Sequence, residues 1–363
     1  MRSIVHLITT INRGGAENQL LLLVEQQVLL GNKVEVIYLK GTGELTSSLI
    51  HVGATVQTRF ANRNIFFQMI SVHNHLRNFT GVRHAHLPRA ELLSCFTSSK
   101  RNLIVSRHNA EPFFPGAPAI ISIILSRLVE KKSNVIICIS EAVLQFLLDS
   151  REVSSARKLK VLLYGFTPPT ENPACLRGEV RASLNITDDT FLIGTVSRLV
   201  EQKNIPCLMK AFQVVQTSQP KSKLIIVGGG PLEEDLKKLA IDLKVDERII
   251  WVNHSQQVLG LLAAMDVFVL TSYYEGFGMV LLESLTSRTP IVASNVSAIP
   301  EVLGRGYPFL ANVDDEADFA SKILEFKELE NQEWFETYST ERISNFNSTL
   351  MAEKLSDLYK QSY

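Results

Sequence analysis

Cysteine is scarce in this sequence. Only Cys95, Cys138, Cys175 and Cys207 occur among 363 residues, widely spaced, with no C-x-x-C pair and no Cys/His cluster. That spacing argues against a disulfide framework and against a structural zinc. Long apolar runs are missing too: no stretch of about 18 uninterrupted apolar residues exists, so no transmembrane helix is expected. The early apolar run from Ile4 to Ile11 is interrupted by His6, Thr9 and Thr10 and passes straight into Arg13-Gly14-Gly15, unlike a secretory signal. A cytoplasmic protein is the expectation. Net charge is absent as well, 37 Lys and Arg balancing 37 Asp and Glu, but the balance hides a division. Residues 1–165 carry 19 cations against 10 anions, and residues 166–363 carry 18 against 27. Either the basic half meets an anionic partner, such as a phosphate-rich substrate or a lipid surface, or two lobes attract each other. No nucleic-acid partner is expected.

A chain of this length exceeds what one hydrophobic core usually serves, so two domains are expected. Short β-branched runs alternate with helical periodicity from start to finish, the mark of parallel sheets covered by helices. In the first half Ser3–Thr9, Lys33–Leu39, Ala54–Arg59, Gly81–Ala85, Asn102–Ser106, Asn134–Ile139 and Lys160–Tyr164 read as strands. Residues Gly165–Pro173, with three prolines and a glycine, read as a linker. The second half resumes with strands at Phe191–Val196, Ser222–Val227, Arg248–Val252, Asp266–Leu270, Pro290–Ala293 and Tyr307–Leu310. The expected fold is α/β, with two doubly wound Rossmann-like domains, residues 1–165 and 166–346. A final helix, residues 347–363, is expected to pack back on the first. Such domains bind ligands beyond the carboxyl ends of their strands, so those ends are expected to face each other across a cleft.

The strongest chemical signal is Glu275-Gly276-Phe277-Gly278, followed by Glu283 eight residues after the first glutamate. A strand, a glycine turn and a helix start present backbone N–H groups to an anionic or polyhydroxyl ligand. Two carboxylates there suit a ligand with two sugar rings, because they accept hydrogen bonds from hydroxyls. The alternative is a helix start with one acidic cap and one solvated glutamate. Arg198 reads as ending a strand, with Lys203 at the next helix start, a pair able to neutralise a diphosphate leaving group. Gly14 and Gly15, between the first strand and a long helix, let backbone amides approach a phosphate. G-x-G-x-x-G is absent, so this is no dinucleotide fingerprint. Gly228–Gly230 reads as a tight strand-to-helix turn. Asp314-Asp315-Glu316 reads as a helix cap rather than a metal site, and no metal or other cofactor is expected. His108 ends a predicted strand in the basic domain. Of His84 and His86, one is expected to face the core.

Taken in order, these segments resemble retaining glycosyltransferases of family four, which have the GT-B architecture. Gly14-Gly15-Ala16-Glu17 matches the family's N-terminal glycine loop. His84-Ala85-His86 and Arg107-His108-Asn109 resemble two of its strand ends. Gly194–Leu199 with Lys203-Asn204 is similar to its Arg…Lys pair, Gly228–Pro231 to its second glycine turn, and Ser272–Glu283 to its paired-glutamate motif. Pro290–Ala293 and Ile299–Glu301 match the closing segment. The resemblance implies a nucleotide-sugar donor, with uridine diphosphate the usual carrier, and no metal. It implies that His108 contacts the donor sugar near the reacting carbon, that Glu275 acts beside it, and that Gly14 and Gly15 lie against the diphosphate. Arg198, Lys203, Gly276, Phe277, Gly278 and Glu283 would complete the donor site. It further implies front-face departure of the diphosphate with same-side attack by a glycan or lipid-linked acceptor, as in bacterial surface polysaccharide synthesis, including lipopolysaccharide. The alternatives are a sugar-nucleotide epimerase of the same architecture and, from another class, a non-catalytic sugar-nucleotide-binding module. Asn253 and Arg288 depart from the family by standing where glycine is common. The stretch Arg59-Phe60…Arg63-Asn64-Ile65-Phe66-Phe67 fits either peripheral docking on an anionic inner membrane face or burial in the core.

Overall fold

The computed structural model describes residues 2–97, 102–253, 255, 257–328 and 333–361. The chain divides into two compact units, Met1–Thr167 with Phe346–Tyr363, and Pro168–Asn345. The first is built on seven parallel strands: β1 (Ser3–Thr10), β2 (Lys33–Lys40), β3 (Thr55–Gln57), β4 (Val82–His86), β5 (Leu103–Arg107), β6 (Val135–Cys138) and β7 (Leu159–Val161). Their order is β3-β2-β1-β4-β5-β6-β7, so the winding reverses between β1 and β4, the position where doubly wound sheets open a crevice. Strands β4 and β5 are buried along their whole length, as a sheet covered on both faces requires. The helix Ser348–Gln361 lies on this unit. Its Met351, Leu355 and Tyr359 share a core with Ile4, Leu23 and Ile137. The last two residues of the expected final helix, Ser362 and Tyr363, lie outside the described residues.

The second unit holds β8 (Phe191–Val196), β9 (Ser222–Val227), β10 (Ile249–Val252), β11 (Val267–Leu270), β12 (Ile291–Ser294) and β13 (Leu310–Ala311). The order is β10-β9-β8-β11-β12-β13, again parallel, with the reversal between β8 and β11. Strand β13 falls later than Tyr307–Leu310, because Tyr307 is drawn into a turn through its N–H to Gly304 and Pro308 has no N–H for a ladder. The turn after β9 lies hard against the chain leaving β8: a Cβ on Gly228 would sit 2.0 Å from the Ser197 carbonyl oxygen, and one on Gly230 2.4 Å from that of Leu199. Only glycine fits so close a backbone approach, which agrees with the tight-turn reading. Arg288 is left-handed, with φ 58, and its guanidinium donates to the Glu336 carbonyl at 2.8 Å. Its place in a family position where glycine is common is thus a matter of turn conformation.

Candidate functional site

At the switch point of the second sheet, the loops that follow β8 and β11 are tied together. The Thr271 hydroxyl donates to the carbonyls of Lys203 (2.9 Å) and Asn204 (3.0 Å). The Tyr273 N–H donates to the Gln202 carbonyl at 2.9 Å, and the Gln202 amide returns to the Tyr274 carbonyl at 2.8 Å. These bonds hold Lys203 against Glu275, with Nζ 2.5 Å from Oε1. The same oxygen accepts from the Ser272 hydroxyl at 2.7 Å. Glu275 is only 5% exposed, and among the described residues its Oε2 has no hydrogen-bond partner. One oxygen is therefore anchored by a cation and a hydroxyl, and the other keeps its capacity to accept.

Arg198 lies two residues beyond the end of β8 rather than at its last position, exposed and with no ion pair among the described residues. Lys203 closes a single turn of tight helix, Glu201–Lys203, instead of opening the long helix, which starts at Ile205. Gly278, at φ 87, caps the helix Met279–Thr286. The Phe277 ring is buried in the core at 2% exposure, so that residue can offer a ligand only its backbone. Glu283 is the fifth residue of the helix, half-buried, and burial raises its carboxyl above the ordinary range. It touches neither Lys203 nor Glu275 through a hydrogen bond. Asp315 caps the helix Glu316–Glu328 by accepting from the Asp318 N–H at 3.0 Å, while Asp314 accepts from the Asn204 amide at 2.9 Å. The helix-cap reading of that acidic run agrees with the first of these.

In the first unit, Gly14 precedes the helix Gly15–Leu29. A Cβ on Gly15 would meet open space, and one on Gly14 would meet only the tip of the Glu17 side chain. Internal packing therefore does not require either glycine; both leave the helix start open on that side. The histidines differ from expectation. His84 and His86 are both buried, at 1% and 2%, because residues two apart on a strand face the same side. His6, directly opposite His84 in the register of β1 and β4, joins them. The His6 Nδ1 lies 2.9 Å from the His86 Nε2, and the His86 Nδ1 lies 3.1 Å from the His108 Nε2. His108 reaches the Tyr164 hydroxyl through Nδ1. Burial pushes His6 down to about 4 and His108 down to about 3, the latter helped by the neighbouring Arg107 charge. It also holds His84 and His86 well below the usual histidine range, with the other rings adding to the effect. Beneath this row Arg107 is itself buried, its Nε 2.7 Å from Glu91 and its Nη1 3.4 Å from Glu152. Burial pushes Glu91 up to about 7, against the pull of that guanidinium.

Two sequence profiles match this chain, Glycosyltransferase Family 4 over residues 13–163 and Glycosyl transferases group 1 over residues 177–342. The chain belongs to glycosyltransferase family four. Its relatives include N-acetyl-alpha-D-glucosaminyl L-malate synthase of Bacillus anthracis, 27% identical over 49% of this chain and 50% of that protein. Another is the UDP-Gal:alpha-D-GlcNAc-diphosphoundecaprenol alpha-1,3-galactosyltransferase of Escherichia coli, 26% identical over 56% of this chain and 54% of that one. The chain thus spans about half the length of the curated relatives it matches. Among solved structures, Anabaena HepE in complex with UDP and glucose is similar over 99% of this chain and 100% of that one, at 18% identity and a TM-score of 0.87. That likeness is one of fold, the GT-B architecture.

The charged residues after β8 and the Glu275–Gly278 turn after β11 mark two loops in the sequence, and those loops hold Lys203 and Glu275 together. Sequence reading missed His6, Tyr164, Gln27 and the buried Arg107 group. The i, i+2 spacing of His84 and His86 on a strand was the available signal for a shared histidine face.

Proposed function

We propose that this chain is a retaining glycosyltransferase that moves a sugar from a nucleoside-diphosphate donor, a UDP-sugar first among candidates, to a glycan or lipid-linked acceptor. The observation that carries this reading is the Lys203–Glu275–Ser272 group at the switch point, with one carboxylate oxygen unused. Arg198 and Lys203 take the diphosphate, whose charge grows as the anomeric C–O bond breaks and its electron pair passes to phosphate. Glu275 accepts from sugar hydroxyls beside the reacting carbon, and Glu283 from the ribose. By family resemblance, Gly14 and Gly15 approach the diphosphate and His108 the sugar. The acceptor oxygen attacks on the face the phosphate leaves, and its proton goes to a departing phosphate oxygen, so the chain's own work is positioning and electrostatics. UDP in the HepE crystals and the diphosphoundecaprenol acceptor of the Escherichia coli relative support the donor and acceptor classes.

Labelled nucleotide sugars incubated with and without a diphosphoundecaprenol-linked acceptor test this reading. Acceptor-dependent transfer is expected, whereas donor isomerisation without acceptor, or binding without turnover, would replace it with the epimerase or the binding module. Lys203→Ala is expected to weaken UDP binding roughly tenfold or more, the size of a charge-assisted hydrogen bond, as read by calorimetry. Unchanged affinity would make Lys203 only the counterion of Glu275.

The helix Ile65–Leu76 supports a peripheral membrane site. Phe60 is core, at 2% exposure, but Phe66 is 72% exposed, and Ile65, Phe67 and Ile70 are exposed with it. Arg63 lies over the Phe67 ring at 5.6 Å, so a cation borders the apolar face. No described helix is long and apolar enough to cross a membrane. Vesicles containing anionic lipid are expected to bind the protein at low salt and release it at high salt. Binding indifferent to salt would contradict docking through charge.

A further inference from the structure

The buried histidines form one continuous hydrogen-bonded file, and its direction can be worked out. The Gln27 amide nitrogen donates to the Tyr359 hydroxyl at 3.1 Å, which leaves its oxygen to accept from the His6 Nε2 at 2.8 Å. A neutral imidazole carries one N–H, so the His6 Nδ1 is an acceptor and the His86 Nε2 must donate to it. The same step makes the His86 Nδ1 accept from the His108 Nε2, and makes the His108 Nδ1 accept from the Tyr164 hydroxyl. On the far side of Gln27, the buried Tyr359 hydroxyl accepts from Gln27 and needs an acceptor for its own proton, which the His84 Nδ1 at 2.7 Å supplies, so the His84 Nε2 donates to Ser106 at 2.7 Å. Every ring therefore has its proton on Nε2, and all eight ring nitrogens are used. Nitrogens of His6, His84 and His86 lie within 4.8 Å of one another, the donor set of a metal site. Each is already bonded to a protein partner, and the hydrogen bonds alone account for the cluster.

We infer that Tyr164 and His86 are positioning residues for His108, fixing it as a neutral Nε2–H ring with both nitrogens turned into the protein. This inference rests on the proposed placing of His108 beside the donor sugar. Held so, His108 shapes the sugar pocket as a fixed uncharged surface and does not carry a proton for the reaction. Proton transfer is then left to the acceptor and the departing phosphate. Tyr164→Phe removes one hydroxyl and frees the ring to turn about its remaining bond. Tyr359→Phe removes an equally buried hydroxyl that bonds none of His6, His86 and His108.

Nitrogen-15 NMR of the histidine rings at neutral pH tests the tautomers without any turnover. Four neutral rings protonated on Nε2 are expected; rings protonated on Nδ1, or a charged His108, would overturn the inference. In steady-state kinetics Tyr164→Phe is expected to lower kcat roughly tenfold or more with donor KM little changed, while Tyr359→Phe leaves kcat within about twofold. Equal losses in the two variants would mean that the hydroxyls matter only for stability. Absence of transfer by the unaltered chain would sink the glycosyltransferase reading instead, and the ring tautomers would remain measurable.

Discussion

Lowering the pH from 7.5 to 5 is expected to cost the first unit about 2 kcal/mol of stability or more, a sizeable part of what a domain usually has. The four file histidines, His6, His84, His86 and His108, have folded-state pKa values depressed by burial. Their contribution is thus complete above the unfolded value near 6.5 and is lost as pH falls towards about 4, while the unfolded chain takes up protons the folded chain refuses. His6 and His108 each lose about 2 kcal/mol by pH 5, and His84 and His86 add to the loss in the same direction. Glu91 runs the other way. Its carboxyl is raised to about 7, so its contribution is present at low pH and disappears as pH rises through 7, offsetting about 2 kcal/mol of the loss. Denaturant titrations across this range, followed by a probe in the first unit, read the slope. A stability flat between pH 7.5 and 5 would show that the rings are not buried neutral.

Replacing Glu275 by Gln is expected to lower kcat by on the order of a hundredfold or more, the scale on which a charge aimed at a developing transition state acts. The amide keeps the shape and the hydrogen bond from Ser272 but loses the negative charge beside the carbon where positive charge builds. Glu275→Ala is a poorer test, since it removes the acceptor that both Lys203 and Ser272 bond as well as the charge and costs more stability. Glu275→Gln keeps that acceptor, so its thermal unfolding should fall less than that of Glu275→Ala. A variant that folds normally and turns over at the parental rate would remove Glu275 from the site.

The fold was legible because parallel strands buried on both faces leave continuous apolar runs rich in β-branched residues, as in Leu224–Val227 and Val267–Leu270. Strand ends were less legible. Hydrophobicity does not say where a ladder stops, and β7 ends at Val161 although the apolar run continues to Tyr164. The site divides in the same way. Glycine turns and charged residues after strands mark Arg198, Lys203 and Glu275 locally, because the backbone conformation needed there restricts the residues nearby. The histidine file depends instead on the register that sets His6 opposite His84, and on Tyr359, which arrives from the far end of the chain. Read alone, His6 only interrupts an apolar strand. The Arg107–Glu91–Glu152 group is hidden for a related reason, since its three charges look like surface residues until the packing of β5 brings them together.

Proton NMR of the anomeric signals during transfer from an α-linked UDP-sugar tests the central claim most directly. The account predicts a product whose new linkage is α, formed together with free UDP and only when acceptor is present. A β-linked product, or UDP release that ignores the acceptor, would contradict it.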